Sequence, residues 1–158
     1  MPKSLTIGTE IFEFPLSGET GNYGSEVTDW ATAVSDGLAT VFQPNDILFT
    51  TVAISNNISS PVSITGFSFD TAEVISINAE YRIQRTTDSP ANNLVESGVL
   101  QGYFDGTNWG ISQERQGDAG VTFDITAGGQ VTYTSTNLTG TNYSGVISFR
   151  ARVFNSAT

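Results

Sequence analysis

The sequence predicts a mainly β protein, an antiparallel sandwich of about eight strands preceded by an N-terminal arm and one α-helix. Two observations carry this prediction. Apolar and polar residues alternate along the ten positions from Ile75 to Gln84, which is the period of a strand with one buried face. Gly, Ser, Thr and Asn are abundant beside Val, Ile, Phe and Tyr, a composition typical of short strands joined by turns.

The alternating stretch is the longest of its kind in the chain, so we expect it to be a central strand on which the others pair. Its apolar row consists of Ile75, Ile77, Ala79, Tyr81 and Ile83. Arg82 lies on the opposite face with Glu80 and Gln84, whereas Arg85 falls at the end of the apolar row.

Further candidate strands follow one another about 8–12 residues apart, the spacing of a sandwich or barrel. Asp105-Gly106 and Gly128-Gly129 predict hairpin turns between them. Eight strands with antiparallel turns predict a jelly roll or a related sandwich. The expected strands are Ile47–Ile54, Val62–Phe69, Val74–Arg85, Val95–Phe104, Trp109–Glu114, Val121–Ile125, Gln130–Ser135 and Gly145–Phe154.

One helix is expected before the sandwich, from Ser25 to Val41, with Ser25 as its N-cap. Pro44 would stop its continuation. We therefore expect an arm and helix over residues 1–45 and a sandwich domain over residues 46–158. The apolar face of this helix repeats at helical spacing and comprises Val27, Trp30, Ala31, Val34, Leu38 and Val41.

Composition excludes several functional classes. The chain has no Cys and no His, which excludes disulfides, thiolate metal sites and nucleophiles activated by histidine. Its net charge is −10, with −9 in residues 1–81, so nucleic acid is a poor partner. No apolar run approaches about 20 residues and no apolar leader follows Lys3, so we expect no membrane span and synthesis in the cytoplasm.

No set of residues indicates a reaction, and we expect a non-enzymatic protein without a cofactor or a metal. Glu80 and Glu96, with Glu114 nearby, could form a glycosidase pair, but an ion pair between Glu80 and an Arg is the simpler interpretation. The segment Asp105–Asn108 could bind calcium, although the hairpin already explains Asp105-Gly106.

The C-terminal half contains an ordered series of motifs: Tyr81-Arg82-Ile83-Gln84-Arg85, Glu96-Ser97-Gly98-Val99-Leu100, Asp105-Gly106, Gly117 to Phe123, Gly128 to Asn137 and Ile147 to Val153. This series resembles the jelly-roll domains of bacteriophage and bacterial surface fibres. Those domains are similar to the tumour-necrosis-factor-like fold and usually form trimers.

The stretch from Phe14 to Val41 is similar to segments that open many phage structural proteins. The two resemblances together imply a virion protein assembled in the host cytoplasm. A short anchor with one jelly roll is more similar to a capsid decoration, or cement, protein than to a tail fibre with a long repetitive shaft. The alternative is a tail-fibre or baseplate protein that recognises a glycan on the host surface. The implied partners are two further copies of the chain and the major capsid protein or another virion protein.

Three sets of residues are the candidates for these contacts. The attachment surface is expected at Ile11, Phe12, Phe14, Leu16, Val27, Trp30, Val34 and Leu38, unless the arm and helix cover their own sandwich. Trimer contacts are expected at Arg82, Arg85, Arg150 and Arg152, unless these side chains are only solvated. A glycan would contact Tyr103, Asp105, Asn108 and Trp109, although alternation favours Trp109 and one of its aromatic neighbours pointing into the core.

Overall fold

The computed structural model describes residues 3–7, 10–14, 23–41 and 45–155, and the chain divides into two compact units, Met1–Pro44 and Asn45–Thr158. In the N-terminal unit, strands β1 (Lys3–Ile7) and β2 (Glu10–Phe14) form an antiparallel pair in which Leu5 is opposite Phe12. Helix α1 spans Tyr23–Val41. Ser25 therefore lies within the helix rather than at its N-cap. The β1–β2 pair was not predicted, because five-residue strands are too short to show a clear period.

The prediction of a mainly β chain with an antiparallel sandwich after an arm and a helix is confirmed. Residues 45–155 form eight strands in two antiparallel sheets. The strands are β3 (Ile47–Ala53), β4 (Ile58–Ser68), β5 (Val74–Asp88), β6 (Ala91–Phe104), β7 (Trp109–Gly117), β8 (Val121–Ile125), β9 (Gln130–Ser135) and β10 (Ser144–Asn155).

The larger sheet has the strand order β3-β10-β5-β6-β7, and the smaller sheet has the order β4-β9-β8. Strand β3 pairs with β10 in the larger sheet and β4 pairs with β9 in the smaller sheet, so early and late strands of the domain are neighbours in both sheets. Strands β5, β6 and β7 form a meander joined by hairpins. The predicted turn at Asp105-Gly106 joins β6 to β7, and the turn at Gly128-Gly129 joins β8 to β9.

The core lies between the two sheets and is filled mainly by inward-facing residues of β5, β8 and β10, which alternate with outward-facing ones. In β5 the residues Ile77, Ala79, Tyr81 and Ile83 all point inward, as the sequence period predicts. The rings of Phe67 on β4 and Phe149 on β10 stack with centroids 4.1 Å apart, which is a direct contact between the two sheets. The central position of β5 in the larger sheet is confirmed.

The start of β5 departs from the predicted alternation. Val74 and Ile77 are both buried, whereas Ile75 is 44% exposed. The pairing with β10 shifts its register between Phe154 and Asn155, next to this segment. Because such an irregularity changes which residues face inward, the expectation that Ile75 belongs to the buried row was wrong.

Candidate functional site

A fully buried carboxylate lies inside the sandwich. Glu96 on β6 is 0% exposed. Its Oε1 atom accepts hydrogen bonds from the Tyr81 hydroxyl (2.7 Å) and the Gln113 side-chain amide (2.8 Å). Its Oε2 atom accepts the backbone N–H of Ala119 (2.8 Å) and lies 3.5 Å from the Arg115 guanidinium. A buried charge is costly unless it is paired and hydrogen-bonded, and these contacts meet that condition.

A buried guanidinium lies near this carboxylate. Arg85 on β5 is also 0% exposed. It donates hydrogen bonds to the backbone carbonyls of Ala119 (2.5 Å) and Thr136 (2.5 Å) and to the side chain of Asn56 (2.7 Å). Its Nε atom donates to the Tyr143 hydroxyl (3.2 Å). Among the described residues no carboxylate forms an ion pair with Arg85, so backbone and amide oxygens solvate this cation.

The two charges meet at one residue. Ala119 donates its N–H to Glu96 and accepts a hydrogen bond from Arg85 through its carbonyl. Ala119 lies between β7 and β8, where the chain passes from the larger sheet to the smaller one. Gly120 follows with φ of +63°, and a Cβ there would collide with the side chain of Thr136. Glu96 and Arg85 therefore fix the position of this connection.

Arg85 also joins two further connections between the sheets. Asn56 belongs to the segment between β3 and β4, and Thr136 and Tyr143 belong to the segment between β9 and β10. Asn56 in turn accepts the backbone N–H of Leu138 through its side chain (2.8 Å). Within residues 45–155, three of the four segments that connect the two sheets therefore meet at the Arg85 guanidinium.

The residues of the buried network carry much of the motif series seen in the sequence. Tyr81 and Arg85 belong to its first motif and Glu96 and Gly98 to its second, and Ala119 belongs to its fourth. Even Gly98 has a role, because a Cβ at this position would lie 2.7 Å from the Tyr81 hydroxyl. These motif residues therefore build the fold, and none of them is exposed enough to meet a large ligand.

Tyr81 remains protonated as a hydrogen-bond donor. Burial raises the pKa of its hydroxyl well above the ordinary value, and the adjacent Glu96 carboxylate raises this pKa further. The hydrogen bond from Gln113 opposes this rise only in part. The neutral phenol of Tyr81 can therefore donate a stable hydrogen bond to the Glu96 carboxylate, which is a structural role.

The carboxylates considered for glycoside hydrolysis do not converge. Glu80 points outward from β5 and forms an ion pair with Arg150 on β10, with a shortest N–O distance of 2.6 Å. Glu96 points inward from β6 and is buried. Because the two side chains lie on opposite faces of the larger sheet, they cannot act on one glycosidic bond. The predicted cross-strand pair between Glu80 and an Arg is present.

The acidic residue of the hairpin between β6 and β7 has a structural role in the turn that requires no metal. Asp105 accepts the backbone N–H groups of Thr107 (2.8 Å) and Asn108 (2.7 Å), which hold the pKa of its carboxyl below the usual value. These bonds close the turn. Within the described residues no group of three or more acidic, His or Cys side chains could hold a metal ion.

The predicted glycan contacts are only partly available. Trp109 is buried and packs against Phe104, at a ring-centroid distance of 5.4 Å, and against Phe69, at 6.1 Å. The expectation that Trp109 points into the core with one aromatic neighbour is confirmed, and its assignment as a glycan contact was wrong. Asp105 is occupied in the turn. Tyr103 is 62% exposed on the outer face of the larger sheet, and Asn108 is also exposed.

Tyr103 belongs to a row of residues that crosses four strands on that outer face. Ser76 of β5 is opposite Phe154 of β10 on one side and Tyr103 of β6 on the other, and Tyr103 is opposite Gly110 of β7. The two aromatic side chains flank a shallow depression of about 550 Å³. We call this depression the outer groove. It is lined by Ser76, Asn78, Gln101, Tyr103, Gly110 and Phe154.

The predicted trimer contacts separate into two groups. Arg82, Arg150 and Arg152 are exposed on the outer face of the larger sheet. Arg85 is buried in the network described above, so its assignment as a contact with a neighbouring chain was wrong. The reason is the parity of β5, which turns residue 85 inward with the apolar row.

The predicted attachment residues lie in the N-terminal unit. On α1, Trp30 is 37% exposed, Leu38 is 54% exposed and Val34 is half-buried. Val27 lies in the same helix, and Ile11, Phe12 and Phe14 lie in β2. Leu16 is outside the described residues. No described helix is long and apolar enough to cross a membrane.

We expect Glu96→Gln to lower the free energy of unfolding by about 1.5–3 kcal/mol, because the amide has one acceptor oxygen where the carboxylate has two. Either Ala119 N–H or the pair formed by Tyr81 and Gln113 then loses its acceptor. Urea unfolding of the purified chain measures the effect. The matched control is Glu114→Gln on the exposed side of β7, expected within about 0.5 kcal/mol of the parent. Equal stabilities of the two variants would contradict the role given to Glu96.

The tailspike protein of Acinetobacter phage vB_ApiP_P1 is similar to this chain with a TM-score of 0.45 and 15% identity. The similarity covers 68% of this chain and 21% of the tailspike chain, so this chain spans about a fifth of the length of that protein. No protein-family model matches the chain. No curated protein matches it either.

Proposed function

We propose that this chain is a non-enzymatic structural component of a phage virion, most simply a capsid decoration protein. In this proposal the N-terminal unit attaches the protein to the particle, and the sandwich is displayed. The motif series in the sequence supports the virion assignment. The observation that carries the attachment is the exposure of Trp30 and Leu38 on α1, since exposed apolar side chains on one unit indicate a surface that binds a partner.

The energetics of such an attachment are favourable. Burial of Trp30 and Leu38 against a partner would contribute on the order of 1.5–3 kcal/mol each before the costs of ordering are subtracted. Residues 1–44 also carry six acidic side chains and one basic side chain, Lys3. These charges would orient the unit on a basic or amide-rich lattice and make its association sensitive to salt.

A homotrimer is part of the proposal. Leu48 and Phe49 are 65% and 73% exposed on β3, which is an edge strand of the larger sheet. They lie where the register with β10 is irregular, opposite Arg150. Phe49, Arg82 and Arg150 line one surface depression, which supports contacts with a neighbouring copy through apolar groups and guanidinium groups together.

Recognition of a host-surface glycan is the second candidate function. The observation that favours it is the outer groove, where two exposed aromatic side chains flank small and polar residues. A decoration protein and a receptor-binding protein could share the same sandwich, because function depends on the surface rather than on the fold.

Deletion of residues 1–44 tests the attachment. We expect residues 45–158 to fold, because the apolar core between the two sheets is formed within this unit. We expect the shortened chain to be absent from purified virions of the encoding phage, as measured by mass spectrometry, while the full chain is present. The full-length double variant Trp30→Ala and Leu38→Ala should be depleted, whereas Ser35→Ala on the same helix should not. The attachment role would be refuted if the shortened chain, residues 45–158, were still present on virions. It would also be refuted if the shortened chain failed to fold.

Light scattering of the full chain tests the trimer. We expect a mass of about three times the chain mass of 16.8 kDa at micromolar concentration. The double variant Leu48→Ser and Phe49→Ser should shift the chain toward the monomer, because it removes the apolar contact. Ile75→Ser, which changes another exposed apolar side chain, is the matched control and should leave the mass unchanged. A stable monomer of the parent chain rules out the trimer.

A further inference from the structure

We propose that the outer groove binds an acidic oligosaccharide, with sugar rings against Tyr103 and Phe154 and a sugar carboxylate near Arg152. This inference rests on the second candidate function, glycan recognition at the outer groove, and it names the class of ligand; it does not require the N-terminal unit. The site differs from the residues that the sequence indicated for a glycan, because only Tyr103 is shared. Two aromatic rings, two side-chain amides and one cation on the outer face of the larger sheet form the site.

The two aromatic side chains are arranged as platforms. Tyr103 and Phe154 are 62% and 63% exposed, although aromatic side chains of this size are usually covered. They project from strands on either side of β5, so their backbones are about 10 Å apart, at two strand spacings. The residue between them is Ser76, which leaves the space above β5 open. A sugar ring can lie in this space with its C–H groups against an aromatic face.

The Tyr103 ring lies over Gly110 of β7, which has no side chain to displace it. A Cβ added to Gly110 would lie 2.6 Å from Cε1 and 2.8 Å from Cζ of Tyr103. The ring therefore lies against the β7 backbone with its other side facing the solvent. Such an arrangement orients the platform before a ligand arrives, which reduces the entropy lost on binding.

The next row supplies polar groups that suit sugar hydroxyls. Asn78 of β5 is opposite Gln101 of β6, and both side chains are exposed. Within residues 45–155 neither side-chain amide makes a hydrogen bond to the protein. Each amide offers a donor and an acceptor, so each can bind vicinal hydroxyl groups. Binding pockets commonly combine apolar surface with a few such groups that fix the orientation of the ligand.

The charge beside the groove indicates an acidic ligand. Arg152 of β10 is opposite Asn78 and two residues from Phe154, on the same face. Among the described residues Arg152 forms no ion pair, whereas Glu80 on the same face is already paired with Arg150. Arg82 also forms no ion pair with a described residue, but it lies four residues along β5 from Asn78, so Arg152 is the unpaired cation next to the groove. The planar fork of donors of a guanidinium matches the two oxygens of a carboxylate, the acidic group of a uronic acid.

The test uses two chemically defined probes with the full chain. We expect a hyaluronan tetrasaccharide, which contains glucuronic acid, to give saturation-transfer NMR signals and a dissociation constant that rises with salt. A neutral chitin tetrasaccharide should bind about tenfold more weakly, which corresponds to about 1.4 kcal/mol. Arg152→Gln should remove this difference. Arg82→Gln changes another exposed Arg outside the groove and should leave the difference intact.

Aromatic variants locate the site. Tyr103→Ala and Phe154→Ala should each weaken binding of the hyaluronan probe at least tenfold. Phe49→Ala removes an exposed aromatic ring outside the groove and should leave binding unchanged. Gly110→Ala keeps Tyr103 but displaces its ring, so it should also weaken binding. Circular dichroism and urea unfolding check that each variant is folded.

Three results would overturn the proposal. One is the absence of saturation transfer from both probes at millimolar concentration. Another is binding that persists unchanged in Tyr103→Ala and Phe154→Ala. Equal affinity for the two probes would overturn the assignment of Arg152. Deletion of residues 1–44 should leave probe binding intact, so failure of this proposal and failure of the attachment proposal give different results.

Discussion

The guanidinium of Arg85 holds together three of the four segments that connect the two sheets within residues 45–155. A sandwich is stable only if its sheets keep a fixed relative position, because the side chains between them interdigitate. Apolar packing between the sheets is not directional, whereas five N–H donors in a planar fork are. Arg85 therefore supplies directional contacts at the connections between the sheets, and Glu96 supplies the acceptor for the backbone N–H of Ala119.

The two buried charged residues of this interior network are not accessible to a binding partner. Arg85 and Glu96 are fully buried, and leaving one of their hydrogen-bonding groups unsatisfied costs about 1–3 kcal/mol, against about 0–1 kcal/mol for an exposed pair such as Glu80 with Arg150. The buried charges are committed to stability. Among the described residues, the exposed groups used in the proposals above lie on the outer face of the larger sheet, on its edge strand β3 and, in the N-terminal unit, on α1. The proposed trimer, glycan and attachment contacts use those surfaces.

The strand pattern was predictable because a period of two reports directly on burial. The inward row of β5 and the turns at Asp105-Gly106 and Gly128-Gly129 follow from local sequence. The same parity placed Arg85 on the inward row, and this was the signal that could have identified it as buried. Its partners could not be predicted, because Ala119, Asn56 and Thr136 come from three distant segments.

The outer groove was missed for a similar reason. Tyr103 and Phe154 are 51 positions apart, and only the pairing order of the strands brings them to one row.

The most direct test of this account is the hydrogen-exchange rate of the Ala119 amide in the native protein. Ala119 lies in a connection whose neighbours Gly117 and Asp118 are exposed. If Glu96 and Arg85 fix this connection, the Ala119 amide should exchange as slowly as the core amides of β5, because it opens only when the two sheets separate. Exchange as fast as that of the exposed Gly106 amide in the β6–β7 hairpin would show that the connection opens independently, and the central role of the buried network would be contradicted.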